Sequence, residues 1–134
     1  MITTAYKRMD GAKPTILIAD DDTRNIFALK AVLTLKGYQV VTAYDGKECL
    51  AVLESNPAID IVLLDMMMPE MDGYETLQIL RRQEQFKHLP ILAVTAQAMT
   101  GDREKCLDAG ATDYISKPID DEKLLLLINQ YVRR

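Results

Sequence analysis

Apolar residues along this chain fall into two patterns. Short runs appear at Thr15–Ala19, Tyr38–Ala43, Ile61–Leu64, Ile91–Val94 and Asp113–Ser116. Ile61–Leu64 is the clearest: it is apolar without alternation and holds no Gly or Pro, which predicts a strand buried on both faces. Thr15–Ala19 reads the same way, and Val40-Val41 marks the second strand. Between the runs the apolar spacing becomes helical. Thr23–Lys36 carries Ile26, Leu29, Val32 and Leu33 on one face, and Gly37 stops it. Asp45–Ser55 turns Cys49, Leu50 and Leu53 inward behind Asp45 as N-cap, and Asn56-Pro57 breaks it. Gly73–Phe86 is predicted as a third helix with Leu77 and Leu80 inward. Gly101–Ala109 is a short polar helix closed by Gly110. Asp120–Tyr131 is the last, with acids in its first turn and Arg133-Arg134 at its end, as the helix dipole favours.

Five strands alternating with five helices predict an α/β fold with right-handed crossovers and a parallel sheet covered on both sides. At 134 residues there is room for one domain. Residues 1–14 show no periodicity and are expected to be a flexible tail, leaving 15–134 as the folded unit.

Four of the strands end in polar groups: Asp20-Asp21-Asp22, Asp65, Thr95 and Lys117. In a parallel sheet these ends share one edge, where ligand chemistry collects in open α/β folds. Each has an ordinary explanation alone. Asp22 can cap the helix that follows, Thr95 can be a plain strand residue and Lys117 a surface lysine. Their convergence on one edge is what ordinary explanations do not supply, and Asp65 is the expected working residue.

Composition narrows the field. The net charge of −4 argues against a nucleic-acid-binding surface. No run approaches the length of a membrane span, and the start lacks the apolar core of a signal peptide, so a cytoplasmic protein is expected. Cys49 and Cys106 match no metal or redox spacing and are expected as reduced, buried thiols. The single histidine, His88, sits beside a proline turn and is expected in solvent.

The motifs Ile-Leu-Ile-Ala-Asp-Asp at 16–21, Met-Pro-Glu-Met-Asp-Gly at 68–73 and Asp-Tyr-Ile-Ser-Lys-Pro at 113–118 occur in linked order. With the intervals between Asp21, Asp65, Thr95 and Lys117, they resemble the receiver domain of two-component response regulators over about Thr15 to Arg134. The resemblance implies a flavodoxin-like (βα)5 three-layer sandwich with sheet order 2-1-3-4-5. That order puts Asp20, Asp21 and Asp65 at the switch point. It implies that Asp65 accepts a phosphoryl group from a phosphohistidine on a sensor histidine kinase or a histidine phosphotransfer protein. It further implies Mg²⁺, with Mn²⁺ as an alternative, held by Asp21, Asp65 and the backbone carbonyl of Met67, with Asp20 acting through water.

By the same resemblance Lys117 and Thr95 meet phosphoryl oxygens, and Lys117-Pro118 is a cis peptide. Thr95 and Tyr114 switch the face formed by the fourth helix, fifth strand and fifth helix toward a downstream protein partner. Met67 and Gln97 tune the lifetime of the acyl phosphate. No direct nucleic-acid or membrane partner is implied, and a phosphorylation-linked dimer is compatible. The domain is expected to be no enzyme beyond its own phosphorylation and dephosphorylation.

Two other classes fit the residues less well. Aspartyl-phosphate phosphatases use Asp-x-Asp after the first strand, whereas the lead carboxylate here ends the third. Flavin carriers of this fold need a Ser/Thr/Gly-rich phosphate loop where this chain has three aspartates. The segment Arg24-Asn25-Ile26-Phe27-Ala28-Leu29 resembles receivers of hybrid sensor kinases. A stand-alone regulator or phosphorelay shuttle is nevertheless the expected setting.

Overall fold

A computed structural model describes residues 14–96 and 100–132. Its strands are β1 (Thr15–Ala19), β2 (Gln39–Ala43), β3 (Ile59–Asp65), β4 (Ile91–Thr95) and β5 (Asp113–Ser116). Its helices are α1 (Thr23–Leu35), α2 (Gly46–Ser55), α3 (Gly73–Arg81), α4 (Asp102–Asp108) and α5 (Asp121–Val132). All strand pairs are parallel, in the order β2-β1-β3-β4-β5. This is the flavodoxin-like arrangement expected from the sequence.

The absence of apolar/polar alternation has a direct cause. Leu17, Val62, Leu64, Ile91 and Ala93 point into a core closed by α2, α3 and α4 through Cys49, Leu53, Leu77, Leu80 and Cys106. Their strand neighbours Ile16, Ile18, Ile61, Leu63, Leu92 and Val94 point the other way, into a core closed by α1 and α5. With both faces covered, every position must be apolar. Both cysteines are free and buried, and His88 is exposed.

Helix starts follow side-chain chemistry. Asp22, Asp45 and Asp72 each accept a backbone N–H from the first turn of α1, α2 and α3. Asp72 takes the Glu75 N–H at 3.0 Å, which fixes where the loop after β3 must end.

Two boundaries differ from expectation by more than one residue. β3 begins at Ile59, which pairs with Thr15 of β1; the Asp60 carboxylate that interrupts the apolar run accepts the Thr15 N–H at 2.8 Å where the two strands meet. α3 ends at Arg81, followed by one 3₁₀ turn at Glu84–Phe86, not a helix through Phe86. Continuing the stripe of Leu77 and Leu80 would bring Glu84 inward and carry Phe86 off the inner face. Breaking the helix buries Phe86 in the core. Arg81 secures the break: Nη1 donates to the Phe86 carbonyl at 2.7 Å and Nε to Gly110 at 2.8 Å.

Candidate functional site

The carboxyl edge of the sheet collects the expected residues. β1 delivers Asp20, whose N–H still bonds Ala43 at 3.0 Å and so extends the sheet one residue past the strand. β3 delivers Asp65, and the next N–H, Met66, bonds Val94 at 2.9 Å. β4 and β5 deliver Thr95 and Lys117, joined by a 2.7 Å bond from Lys117 N to Thr95 O. The Lys117–Pro118 peptide is cis. Ladder bonds running beyond the strand ends hold these side chains on rigid backbone, not on free loop.

Asp20, Asp21 and Asp65 each offer a carboxylate oxygen within 4.8 Å of the others. Asp20 and Asp65 are buried, Asp21 is exposed. Lys117 Nζ lies 3.6 Å from Asp20 Oδ2 and 3.7 Å from Asp65 Oδ2, so one ammonium faces two buried acids. Asp65 Oδ1 accepts the Met67 N–H at 3.1 Å, which leaves Oδ2 as the oxygen facing Lys117. Burial pushes the Asp65 carboxyl up to about 6. The Met67 N–H and Lys117 oppose that rise, and the neighbouring Asp20 adds to it. Three acidic side chains thus gather around one lysine. Their donors are all carboxylate oxygens, the hard set that suits a small divalent cation.

Thr95 is buried. Tyr114 is half-buried, opposite Ala93 in the β4–β5 register, and Thr95 lies opposite Ser116. Strand alternation puts Thr95, Ala93 and Tyr114 on one face, toward the core under α4. The Met67 side chain is 62% exposed, beside the acids. Gln97 lies outside the described residues. Met66 and Met68 are buried core residues, as ordinary packing would have them.

Asn25 was not singled out from sequence as a site residue. Its Nδ2 donates to Asp20 Oδ2 at 2.5 Å. The available signal was a polar residue four positions before Leu29 on the inward stripe of the first helix.

The loop after β3 is held close by Gly73. A Cβ there would stand 2.6 Å from the Met66 Cα and 2.8 Å from the Asp65 carbonyl oxygen. Glu70, in the same loop, adopts φ 66°, the left-handed region that non-glycine residues seldom use.

An open parallel sheet whose carboxyl edge gathers three acids and a lysine defines the class: a flavodoxin-like α/β domain with an acidic site at its switch point. Comparison with known proteins makes it specific. Residues 16–129 match the family model of the response regulator receiver domain. Response regulator PleD of Caulobacter vibrioides is 40% identical over 118 residues, covering 88% of this chain and 26% of that protein. Hybrid signal transduction histidine kinase I of Dictyostelium discoideum is 39% identical, covering 87% of this chain and 7% of that protein. The chain thus spans only a minor part of either relative.

Among solved structures, the receiver domain of sensor histidine kinase PA1611 from Pseudomonas aeruginosa, with a magnesium ion coordinated in its active-site cleft, superposes with a TM-score of 0.79. It is 34% identical, over 92% of this chain and 100% of that one. The chain belongs to the response regulator receiver family, the signalling domains of two-component systems. Among the described residues no helix is long and apolar enough to cross a membrane.

Proposed function

We propose that residues 15–134 form one phosphoacceptor unit, taking a phosphoryl group from a phosphohistidine onto Asp65 in a magnesium-dependent reaction. The observation that carries this is the shared lysine: Lys117 faces Asp20 and Asp65 at nearly equal distance across the acid trio. The magnesium ion coordinated in the cleft of the Pseudomonas receiver supports the same choice here. Asp21, Asp65 and the Met67 carbonyl would hold the ion directly and Asp20 through water, with manganese as an alternative. The bound ion supplies a Lewis acid for the phosphoryl oxygens and offsets the repulsion among the acids.

The rest is the work of this chain's residues. The Met67 N–H on Oδ1 orients Asp65 so that Oδ2 faces the incoming phosphorus. The donor's P–N bond breaks as the O–P bond forms, and the imidazole nitrogen leaves with the electron pair. Lys117 leaves its two carboxylates for a phosphoryl oxygen, and the Thr95 hydroxyl donates to another. A carboxylate is a weak nucleophile, so placement and charge carry most of the acceleration. Thr95 drawn toward the phosphoryl group frees space on the sheet face it shares with Tyr114. The tyrosine turns inward, and the surface of α4, β5 and α5 changes for a downstream protein partner. Met67 and Gln97 set how long the acyl phosphate lasts.

The donor is a sensor histidine kinase or a histidine phosphotransfer protein. The unit would serve as a phosphoryl acceptor in a two-component system or phosphorelay. The 39% identity to a hybrid kinase favours, as second reading, a receiver within a hybrid sensor kinase.

Incubation with acetyl phosphate and Mg²⁺, followed by intact mass, tests the core. A phosphate-sized gain is expected, lost with EDTA and in Asp65→Asn; a gain that survives Asp65→Asn overturns the reading. In the same preparation, Tyr114→Ala should leave phosphorylation intact and blunt its effect on partner affinity.

A further inference from the structure

Asn25 stands at the same carboxyl edge, outside the phosphoryl-transfer roles given above. It lies in the first turn of α1, one residue before the buried Ile26. Its Nδ2 donates to Asp20 Oδ2 at 2.5 Å, a hydrogen bond to a carboxylate acceptor. Asp20 is 2% exposed and takes the Asp22 N–H on Oδ1 at 2.8 Å. Its Oδ2 therefore meets two groups: the Asn25 amide, and Lys117 Nζ at 3.6 Å.

These two partners differ in permanence. Lys117 is shared with Asp65 Oδ2 at 3.7 Å and sits at the end of a flexible stem, 27% exposed. An arriving phosphoryl oxygen would compete with both carboxylates for its ammonium. Asn25 is anchored on a helix packed into the core, and its amide carries no charge that would repel a divalent cation. A lysine or arginine at this position would add that repulsion; an apolar residue would leave a buried carboxylate oxygen short of a donor.

We infer that Asn25 is a positioning residue: its amide pins the buried Asp20 carboxylate so that the remaining lone pair of Oδ2 stays turned toward the cation site of Asp21 and Asp65 after Lys117 has left. This rests on the proposed function in one respect, that the cation is a divalent metal ion. Asn25 would act through Asp20 and the water it holds, and losing an outer partner around a metal site typically costs about tenfold or more in metal affinity.

The test is calorimetric titration of Mg²⁺ into the wild-type chain, Asn25→Ala and Asn25→Leu, beside the acetyl phosphate rate as a function of Mg²⁺. Leucine restores the side-chain volume without the donor, so packing and hydrogen bonding separate. Both variants are expected to melt cooperatively and to bind Mg²⁺ about tenfold more weakly. The rate at saturating Mg²⁺ should fall much less than the affinity. An Asn25→Leu titration that superposes on the wild type overturns the inference, as does a saturating rate that falls as far as the affinity. Wild-type protein that binds no Mg²⁺ removes the functional reading and this inference together; wild type that binds, with Asn25→Leu equal to it, removes this inference alone.

Discussion

Asp65 shows what one side chain costs the fold that holds it. Its carboxyl ionises near 6 in the folded protein, against an ordinary value of 3.8, chiefly because it is buried. A folded-state value above the unfolded one means that the native state binds the proton more tightly. The associated stability is therefore complete below pH 3.8 and lost as pH rises through about 6. Asp65→Asn removes the titration while keeping an acceptor for the Met67 N–H. In metal-free protein at pH 8 it should raise stability by about 1–3 kcal/mol, the advantage shrinking to nothing near pH 4. Urea midpoints at a series of pH values measure this; a pH-independent difference would contradict it. At this scale the sequence was only partly legible. Asp20, Asp21, Asp65, Thr95 and Lys117 stood out because each ends an apolar run. Asn25 did not, because its role depends on which way α1 turns over the edge, and no run ends there.

Elements were legible wherever one pattern ruled them. α1 and α2 emerged with their caps because Asp22 and Asp45 precede clean apolar stripes. α3 did not end where its stripe suggested, because Phe86 and the Arg81 clamp are tertiary demands that local spacing does not carry. The junction of β3 with α3 shows the same dependence. Gly73 opens the third helix, and its real constraint is the backbone beneath it. Gly73→Ala would bring a methyl to 2.6 Å from Met66 Cα and 2.8 Å from the Asp65 carbonyl oxygen, neither of which can swing aside as a side-chain tip could. Overpacking of this kind costs about 1–3 kcal/mol, and here the strain lands on the residue carrying the site. The variant is expected to lose stability in denaturant titrations and phosphorylation rate together. A variant with wild-type midpoint and wild-type rate would show that the junction is slack.

At the scale of the whole molecule, the fold was readable because β1 and β3 are apolar on both faces, which only a covered parallel sheet explains. The site followed from the topology: β1 and β3 are neighbours in the sheet although far apart in sequence, so Asp20, Asp21 and Asp65 meet only when the chain is folded. An ion bound by that trio binds the native state and not the unfolded one, so it must stabilise the fold by mass action. At a hundredfold excess over its dissociation constant, Mg²⁺ should add about 2.7 kcal/mol, a rise on the order of 10 °C in Tm for a domain of this size. Proton and metal compete for the same oxygens. The gain from Mg²⁺ should accordingly fade as pH drops through about 6, where Asp65 takes up its proton. The same charge conflict that penalises the metal-free fold above that pH is what the ion relieves, so the two pH trends must run in opposite directions. Thermal melts with and without Mg²⁺ at constant ionic strength, on wild type and Asp21→Asn, decide it. A Tm rise of equal size in both proteins would place the ion somewhere other than the acid trio.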